Sequence, residues 1–385
     1  MKTAQGNLLS RQSGYPSSAT IPAHAVAREG AHAPRGWLGL DRAVTALAVV
    51  LGLAGCTPMA TGQVMNGFDL SKRDIPLDEI HRGGPPRDGI PALTDPEFVT
   101  AASAHGLQPD DRILGLQRNG VSKAYPLGIM NYHEVVNDIV AGEAIAVTYC
   151  PLCFTGVAFE ARTEDGSRRL FGVSGLLYNS AVLLYDRGSE SLWSQISATA
   201  VAGARIGEQL TLIPIANTTW DSWHREHPNT LVLSRNTDYA RDYDRDPYAD
   251  YAEDEALLFP VAFRMQGQHP KTPVVGVRIG DQARAYPFPA FPESGRHRLE
   301  DTLAGREITV LIDADAQTGQ VFDAQGEEIP SIISYWFAWY AFHPQTERYT
   351  GEPAPEPDGP RQDARGPSRP AHTAMHLGGT GQVRP

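Results

Sequence analysis

The chain has 385 residues, with 45 Asp and Glu against 33 Lys and Arg, so its formal net charge is −12 at pH 7. This charge repels phosphate backbones and anionic lipid, which argues against nucleic acid as a partner. The hydrophobic share of 41% is that of a globular protein, and the length suffices for two ordinary domains or one large one.

The first 55 residues carry the signals of an export sequence. Residues 1–34 have no apolar period, which predicts a disordered segment or a leader called too far upstream. Residues 35–55 combine a basic flank, an apolar run too short to span a membrane and small residues before Cys56. This is the layout of a signal peptide. The alternative is a short buried helix with an incidental cysteine.

Cys56 directly follows Leu-Ala-Gly, and this stretch resembles the bacterial lipobox. The resemblance implies that Cys56 becomes the lipidated first residue of the mature protein, whose partner is then the membrane, reached through the lipid anchor. Thr57 in place of Asp implies, by analogy with lipoprotein sorting, the periplasmic side of the outer membrane. Protein partners stay unassigned.

Two parts of the chain match each other in three ordered blocks. Residues 113–126 align with 274–287, residues 137–147 with 300–310, and residues 220–230 with 336–346. Each part has the pattern of a strand, a tight turn, a second strand, a helical or irregular connection and an apolar strand. We therefore expect a β-rich α+β fold, in which two diverged copies of one strand-hairpin-helix unit pack into one compact body.

This interpretation divides the exported chain into five parts. They are a linker (56–85), a first repeat unit (86–235), an acidic loop (236–258), a second, degenerate repeat unit (259–350) and a disordered tail (351–385). The acidic loop has the carboxylate spacing of an EF-hand, but Pro247 stands where that motif needs a Gly with positive φ. An EF-hand is therefore excluded, and a solvated loop is favoured over another type of calcium site.

Cys150 and Cys153 are the only cysteines after Cys56, so all other thiol chemistry is confined to them. They follow an apolar strand of the first copy, whereas the matching strand of the second copy ends in Asp313-Ala-Asp-Ala. We expect the pair on a β-turn with Pro151 in the turn, because residues 154–160 alternate like a strand rather than a helix.

The chemistry of the pair stays open between three alternatives. Two thiolates on a turn plus an imidazole form a soft ligand set for Cu(I) or Zn(II), with His133 as the expected third ligand. A thiol with a lowered pKa favours redox exchange. Exported Cys pairs are otherwise structural disulfides, and His133 is otherwise a hydrogen-bonded core residue.

Polar residues between Gly172 and Gln195 alternate with apolar ones, so they either cap turns or line a pocket. The candidate pocket residues, all near the cysteine strand or in this block, are Tyr149, Ser174, Tyr178, Asn179, Ser180 and Gln195. The His-Pro pairs at 227–228 and 343–344 occur in both copies, including the one without thiols, and are expected to be structural.

Several motifs together resemble a bacterial family, domain of unknown function 3179. They are Asp88-Gly-Ile-Pro, His133-Glu-Val-Val-Asn-Asp, Tyr149-Cys-Pro-Leu-Cys, Phe171-Gly-Val-Ser-Gly-Leu-Leu-Tyr-Asn-Ser, Tyr185-Asp-Arg, Ser191-Leu-Trp-Ser-Gln, Phe337-Ala-Trp and His343-Pro. The resemblance implies an exported bacterial protein with the Cys-Pro-Leu-Cys segment and His133 among its signature positions. Phe154 departs from it, since the family is expected to carry Gly there, and its bulk is expected to cover the cysteines partly.

Two functions follow as expectations, and no reaction is assigned. The first is an extracytoplasmic, lipid-anchored protein whose Cys-x-x-Cys site binds Cu or Zn or exchanges disulfides. The second is a non-catalytic envelope binding module whose Cys pair is a structural disulfide.

Overall fold

The computed structural model describes residues 63–265 and 267–351. The predicted leader, the signal peptide, the lipidation site at Cys56 and the tail from residue 352 lie outside these residues. Within the described part, no helix is both long and apolar enough to cross a membrane.

Strands account for most of the regular structure. In chain order, the first are β1 (Val64–Met65), β2 (Phe68–Asp69), β3 (Ile80–Arg82), β4 (Leu93–Thr94), β5 (Phe98–Thr100), β6 (Arg112–Arg118), β7 (Val121–Pro126), β8 (Val135–Val140), β9 (Glu143–Cys150), β10 (Thr155–Glu160), β11 (Phe171–Tyr178) and β12 (Ala181–Asp186). They continue with β13 (Leu192–Ser194), β14 (Thr199–Ala202), β15 (Leu212–Ile213), β16 (Ala216–Thr219), β17 (Leu231–Leu233), β18 (Pro273–Ile279), β19 (Gln282–Pro287), β20 (Arg296–Leu303), β21 (Arg306–Asp313), β22 (Thr318–Asp323), β23 (Glu328–Ile329), β24 (Ser331–Tyr335) and β25 (Glu347–Arg348).

The helices are short. They are α1 (Leu127–His133), α2 (Trp220–Glu226) and α3 (Trp336–Phe342), with single 3₁₀ turns at Leu77–Glu79, Ala101–Ser103 and Phe288–Ala290.

Apart from the β1–β2 ribbon, the strands form five sheets of four or five strands each. With the strands of each sheet in spatial order, they are sheet I (β14-β13-β12-β11-β3), sheet II (β15-β10-β9-β8-β4), sheet III (β16-β6-β7-β17-β5), sheet IV (β24-β18-β19-β25) and sheet V (β20-β21-β22-β23). The sheets are arranged like the blades of a five-bladed β-propeller.

The predicted fold class is therefore wrong. The structure is not an α+β body of two hairpin-helix copies but a set of five sheets. The physical reason lies in the burial of the strands, since seven of the eight residues of β9 and all six of β12 are buried. A strand buried on both faces needs a sheet on each side, and three helices of seven residues cannot supply that cover.

The sequence repeat is nevertheless visible in the strand pairing. Strands β6 and β7 match β18 and β19, and the pair Gly115–Ala124 in the first hairpin corresponds to Gly276–Ala285 in the second. Strands β8, β9 and β10 match β20, β21 and β22 in the same order. Each copy thus contributes strands to two sheets, whereas sheet I has no counterpart among the matched blocks.

Sheet I also takes in part of the predicted linker. Strand β3 pairs with β11 through Ile80 and Tyr178, so the stretch between residues 63 and 85 is folded rather than a simple connection. The acidic loop, in contrast, contains no strand or helix within residues 236–258.

Each copy carries the same tryptophan over a glycine. A Cβ built on Gly115 would lie 2.3 Å from the Trp223 ring, and one built on Gly276 would lie 2.3 Å from the Trp339 ring. The indole N–H groups of the two tryptophans donate to threonine hydroxyls at 3.0 and 2.9 Å. His343 packs on Trp339 with ring centroids 4.2 Å apart. The interpretation of the His-Pro pairs as structural is confirmed.

A buried polar cluster is also repeated. Lys123 donates to both carboxylate oxygens of Asp138 at 2.9 and 2.8 Å, and Tyr125 donates to the same carboxylate at 2.7 Å. The second copy has Arg284, Asp301 and Tyr286 in the corresponding places, with Tyr286 donating to Asp301 at 2.8 Å. Because the copy without thiols keeps this cluster, it belongs to the framework of the fold.

Candidate functional site: a buried dithiol

The two cysteines lie on the turn that joins β9 to β10. Cys150 pairs with Thr155 at the turn end of the hairpin, and residues 151–154 form the connection. The Cys153 N–H donates to the Cys150 carbonyl at 3.2 Å, which closes a β-turn with Pro151 and Leu152 at its centre. The predicted turn is confirmed. Both cysteines are free thiols, and they are 1% and 0% exposed.

The tip of the β11–β12 hairpin covers the thiols. Asn179 and Ser180 occupy the two-residue turn with φ of 49° and 62°, the left-handed conformation that a tight hairpin of this kind requires. The Cys153 sulfur lies 3.4 Å from the Ser180 carbonyl oxygen. Val182 follows the turn, and its N–H helps to lower the pKa of Cys150. A hairpin of sheet I therefore supplies backbone polar groups to thiols that belong to sheet II.

The surroundings shift the pKa values of the two thiols in opposite directions. Burial disfavours the Cys150 thiolate, but hydrogen bonds from the Cys153 thiol and from the N–H groups of Val182, Cys153 and Leu152 outweigh it, so its pKa is lowered. Burial raises the pKa of Cys153, and the negative charge of Cys150 raises it further. The pair is therefore arranged as one thiolate accepting hydrogen bonds and one thiol donating.

Glu134 lies next to the strand end that carries Cys150. It follows α1 as the capping residue, with φ of 56° and its N–H bonded to the Met130 carbonyl at 2.8 Å. Its own carbonyl accepts from the Tyr149 N–H at 2.8 Å, which fixes it next to the end of β9. Only 7% of Glu134 is exposed. Burial, followed by the charge of Cys150, raises the pKa of this carboxyl well above its usual range.

His133 forms hydrogen bonds with residues other than the two cysteines. Nδ1 lies 2.8 Å from the Pro91 carbonyl and Nε2 lies 2.7 Å from the Tyr243 hydroxyl. Burial lowers its pKa, so the imidazole is neutral at pH 7. Among residues 63–265 and 267–351, no three His, Cys, Asp or Glu side chains are grouped to hold a metal ion. The structure thus does not bring His133 together with the two cysteines as a ligand set.

A cavity of about 820 Å³ opens beside the turn. Its wall next to the thiols is aromatic and consists of Tyr149, Phe154, Tyr248, Tyr251 and Tyr335. The rings of Phe154 and Tyr335 are stacked, with centroids 5.3 Å apart. The cavity is therefore large enough for a small organic molecule or an extended peptide side chain.

The acidic loop supplies part of this wall. Tyr248 and Tyr251 come from it, and the pKa of each is raised by burial and then by the charges of the dithiol region, with Cys150 and Cys153 acting on Tyr251. The Tyr251 hydroxyl is buried without a hydrogen-bond partner in the described part of the chain. Sequence reasoning missed these tyrosines, although the unusual Tyr content of an otherwise acidic loop was a usable signal.

Of the six candidate pocket residues, only Tyr149 lines the cavity. Ser174 is internal to sheet I, where it bonds the Leu183 carbonyl. Asn179 holds the Ala262 N–H at 2.8 Å. Gln195 donates to Thr148 and Thr155 behind the cysteine hairpin at 3.0 and 3.1 Å.

Tyr178 packs edge-on against Phe342, with ring centroids 5.6 Å apart. Ser180 contributes its carbonyl oxygen to the thiols, as described above. The predicted set is therefore divided between the cavity wall, the interior of sheet I and the backing of the dithiol turn.

Fold and site together define a class of protein, a propeller-like β protein with a buried dithiol beside an aromatic cavity. The chain belongs to the family described as "Protein of unknown function (DUF3179)", whose model matches residues 87–346 and so includes the whole site. No curated protein and no solved structure matches the chain at a significant level.

Proposed function

We propose that this protein is a thiol–disulfide exchange protein of the bacterial envelope, anchored by lipid at Cys56, in which Cys150 is the nucleophile and Cys153 the resolving thiol. The observation that carries the proposal is the pair of free cysteines on one β-turn, which the Cys153 N–H closes by donating to the Cys150 carbonyl. Hydrogen-bond donors around Cys150 lower its pKa despite its burial, and a lower pKa favours the thiolate, which is the reactive form in exchange.

A comparison within the chain argues against a purely structural disulfide. The connection from β21 to β22 has the same length as the cysteine turn, with Asp313 pairing with Thr318 as Cys150 pairs with Thr155. Its last residue, Gln317, is left-handed like Phe154, with φ of 44° and 56°. This turn forms without any cysteine, so the hairpin does not need a disulfide to close.

The exchange balances in two steps. The Cys150 thiolate attacks a substrate disulfide, forms a mixed disulfide and releases one substrate thiolate. The Cys153 sulfur then attacks Cys150, forms the Cys150–Cys153 disulfide and releases the second thiolate. Two electrons pass to the substrate. Because Cys150 reacts as the thiolate, the site loses one proton, from Cys153, and one of the two substrate thiolates takes it up. A dithiol donor of the envelope returns the site to its starting state. Residues three apart in a β-turn are near enough for this bond.

Cu(I) or Zn(II) binding is the competing function for the same sulfurs. With His133 engaged by Pro91 and Tyr243, a metal would have Cys150 and Cys153 as its soft ligands and would have to recruit any further ligand from Glu134 or from outside the chain. This incomplete ligand set is the reason for placing exchange first.

Three measurements on the full chain separate these functions. In the Cys153→Ser variant, we expect an aromatic disulfide to be trapped as a stable mixed disulfide on Cys150, whereas Cys150→Ser traps none. Titration of the wild type in thiol–disulfide buffers should show a reversible dithiol. Thiols that react only after unfolding would sink the proposal and favour a structural pair. Stoichiometric Cu(I) or Zn(II) uptake without any exchange would favour the metal site.

A further inference from the structure

The cavity beside the cysteine turn contains a cation that no carboxylate neutralises. Arg112 lines this cavity, and its guanidinium lies 5.3 Å from the centre of the Phe154 ring. Its hydrogen-bond acceptors among the described residues are neutral oxygen atoms, namely the Ala316 carbonyl at 2.6 Å, the Asn217 carbonyl and side-chain amide at 2.8 and 2.6 Å, and the Gln317 carbonyl at 3.3 Å. These dipoles hold the guanidinium in place but leave its charge without a counter-charge.

Burial makes this charge costly. Burial lowers the pKa of Arg112 to about 10, so the side chain is still cationic at pH 7. Its Nε–H is buried without an acceptor in the described part of the chain, and Nη1 makes one hydrogen bond there although it carries two N–H groups. Buried cations in proteins are paired with anions, because the unpaired charge is strongly destabilising. An unpaired guanidinium in a cavity wall therefore indicates an anionic ligand.

The second copy of the repeat shows that the framework does not need this guanidinium. Arg112 begins β6 and pairs with Thr219, whereas Pro273 begins β18 and pairs with Tyr335 at the matching position. Proline has neither a charge nor a side-chain donor, yet the hairpin that it begins has the same pairing as β6 and β7. The cation, like the thiols, thus occurs only in the first copy.

Carboxylates in the same cavity limit the charge that a ligand can carry. The acidic residues in its wall are Asp110, Asp111, Asp244 and Asp246. Asp244 pairs with Arg235 at 2.8 Å. Three of the four, Asp110, Asp244 and Asp246, are exposed, so water and salt weaken their repulsion, whereas the buried guanidinium attracts an anion through a less polar medium. A dianion meets twice the repulsion of a monoanion, which favours a ligand with a single negative charge.

We propose that this cavity binds a monocarboxylate with an apolar body, whose carboxylate pairs with Arg112. A guanidinium and a carboxylate form charge-assisted hydrogen bonds, which are among the strongest in proteins. The aromatic side chains of Tyr149, Phe154 and Tyr335 line the same cavity and offer a surface to the apolar body, for which a volume of about 820 Å³ is sufficient. Binding here involves neither thiol, so the proposal goes beyond disulfide exchange and does not depend on it.

The test is a calorimetric titration of the full chain at pH 7 with 3-phenylpropionate and with 3-phenylpropionamide, its uncharged counterpart. The wild type should bind the carboxylate with a Kd below about 1 mM. It should bind the amide at least about 10-fold more weakly, because only the carboxylate pairs with the guanidinium. Arg112→Met should bind both compounds equally. Arg235→Met removes an exposed arginine of the same cavity that is already paired, and this control should keep the preference. Cys150→Ser should bind like the wild type.

Each contrary result is specific. Equal affinity of the wild type for the acid and the amide, or no saturable binding of the acid below about 10 mM, would overturn the proposal. Tighter binding of phenyl phosphate than of 3-phenylpropionate would also overturn it, by assigning the site to dianions. A preference for the acid that survives in Arg112→Met would remove Arg112 from the site.

Arg112→Met also loses its bonds to three residues, so a measurement on the wild type guards against a variant that does not fold. Light-driven crosslinking of 4-benzoylbenzoate to the full chain should label peptides that contain Phe154 or Tyr335, which line the cavity. We expect 3-phenylpropionate to suppress this label and its amide to leave it unchanged. Label confined to other parts of the chain would refute the site.

Discussion

The backbone N–H of Tyr335 donates a hydrogen bond of 2.8 Å to the carbonyl oxygen of Cys153. Tyr335 ends β24 in sheet IV, so the second copy of the repeat braces the turn that carries the thiols of the first copy. The Tyr335 ring also stacks on Phe154, the residue after Cys153. The copy without thiols therefore contributes directly to the shape of the dithiol site.

Phe154 is expected to restrict access to the thiols. Its ring lines the cavity and lies between Tyr335 and the guanidinium of Arg112, 5.3 Å away. Replacing Phe154 with Gly should relieve about 1 kcal/mol of left-handed strain but lose more in ring contacts, for a net destabilisation of about 2 kcal/mol. Alkylation of Cys150 by iodoacetamide should become at least about fivefold faster, by simple exposure of the thiolate. Phe154→Leu keeps most of the bulk, and an equal acceleration in that variant would contradict this explanation.

The repeated polar clusters should differ in energetic weight. Lys123 and Asp138 are buried, with side chains 10% and 5% exposed, whereas those of Arg284 and Asp301 are 20% and 19% exposed. Lys123→Met leaves a buried carboxylate without its cation and should cost about 3–5 kcal/mol of unfolding free energy. Arg284→Met should cost clearly less, because water reaches its partner. Urea unfolding of both variants provides the measurement, and equal losses would argue against this ranking.

The two glycines under the tryptophans should tolerate no side chain. Because a Cβ at Gly115 or Gly276 would lie 2.3 Å from an indole ring, each Gly→Ala change forces Trp223 or Trp339 to move. We expect a loss of about 1–3 kcal/mol for each. Gly188→Ala is the matched control, since its nearest contact would be an ordinary 3.6 Å. Thermal unfolding compares the three, and a control as unstable as the others would refute the steric cause.

His343 should make the protein sensitive to mild acid. Burial lowers the pKa of His343 to about 4, whereas the unfolded chain has the ordinary value of 6.5. Between these values the unfolded state binds a proton that the folded state does not, so stability falls as the pH drops from 6.5 to 4. The loss attributable to His343 is at most about 3 kcal/mol. Urea unfolding across this range should show a shallower slope for His343→Gln, and an unchanged slope would contradict the assignment.

Local features of the site were predictable from the sequence because they depend on short-range chemistry. Pro151 between two cysteines predicts a turn, and the alternation of residues 154–160 predicts the strand that follows it. The same holds for the repeat, since matching residues such as Gly115 and Gly276 occupy matching positions in their hairpins.

Contacts made across sheets were not predictable. The sequence interpretation paired the cysteines with His133, which lies in the same repeat unit, but Pro91 and Tyr243 take both of its nitrogens. The residue that bonds to the strand carrying Cys150 is its neighbour Glu134, whose carbonyl accepts from the Tyr149 N–H.

By itself, the sequence determined the turn, the confinement of two thiols to one copy of a repeat, and the family. Only the tertiary structure decided the five-sheet arrangement, the covering of the thiols by the Asn179–Ser180 hairpin tip and the bond between Glu134 and Tyr149 at the end of β9. The physical reason is that hydrogen-bond patterns and alternation act over a few residues, whereas burial on both faces of a strand is satisfied by whichever distant sheet packs there. For Cys153 those distant partners are Ser180, which is 27 residues further along the chain, and Tyr335, which is much further.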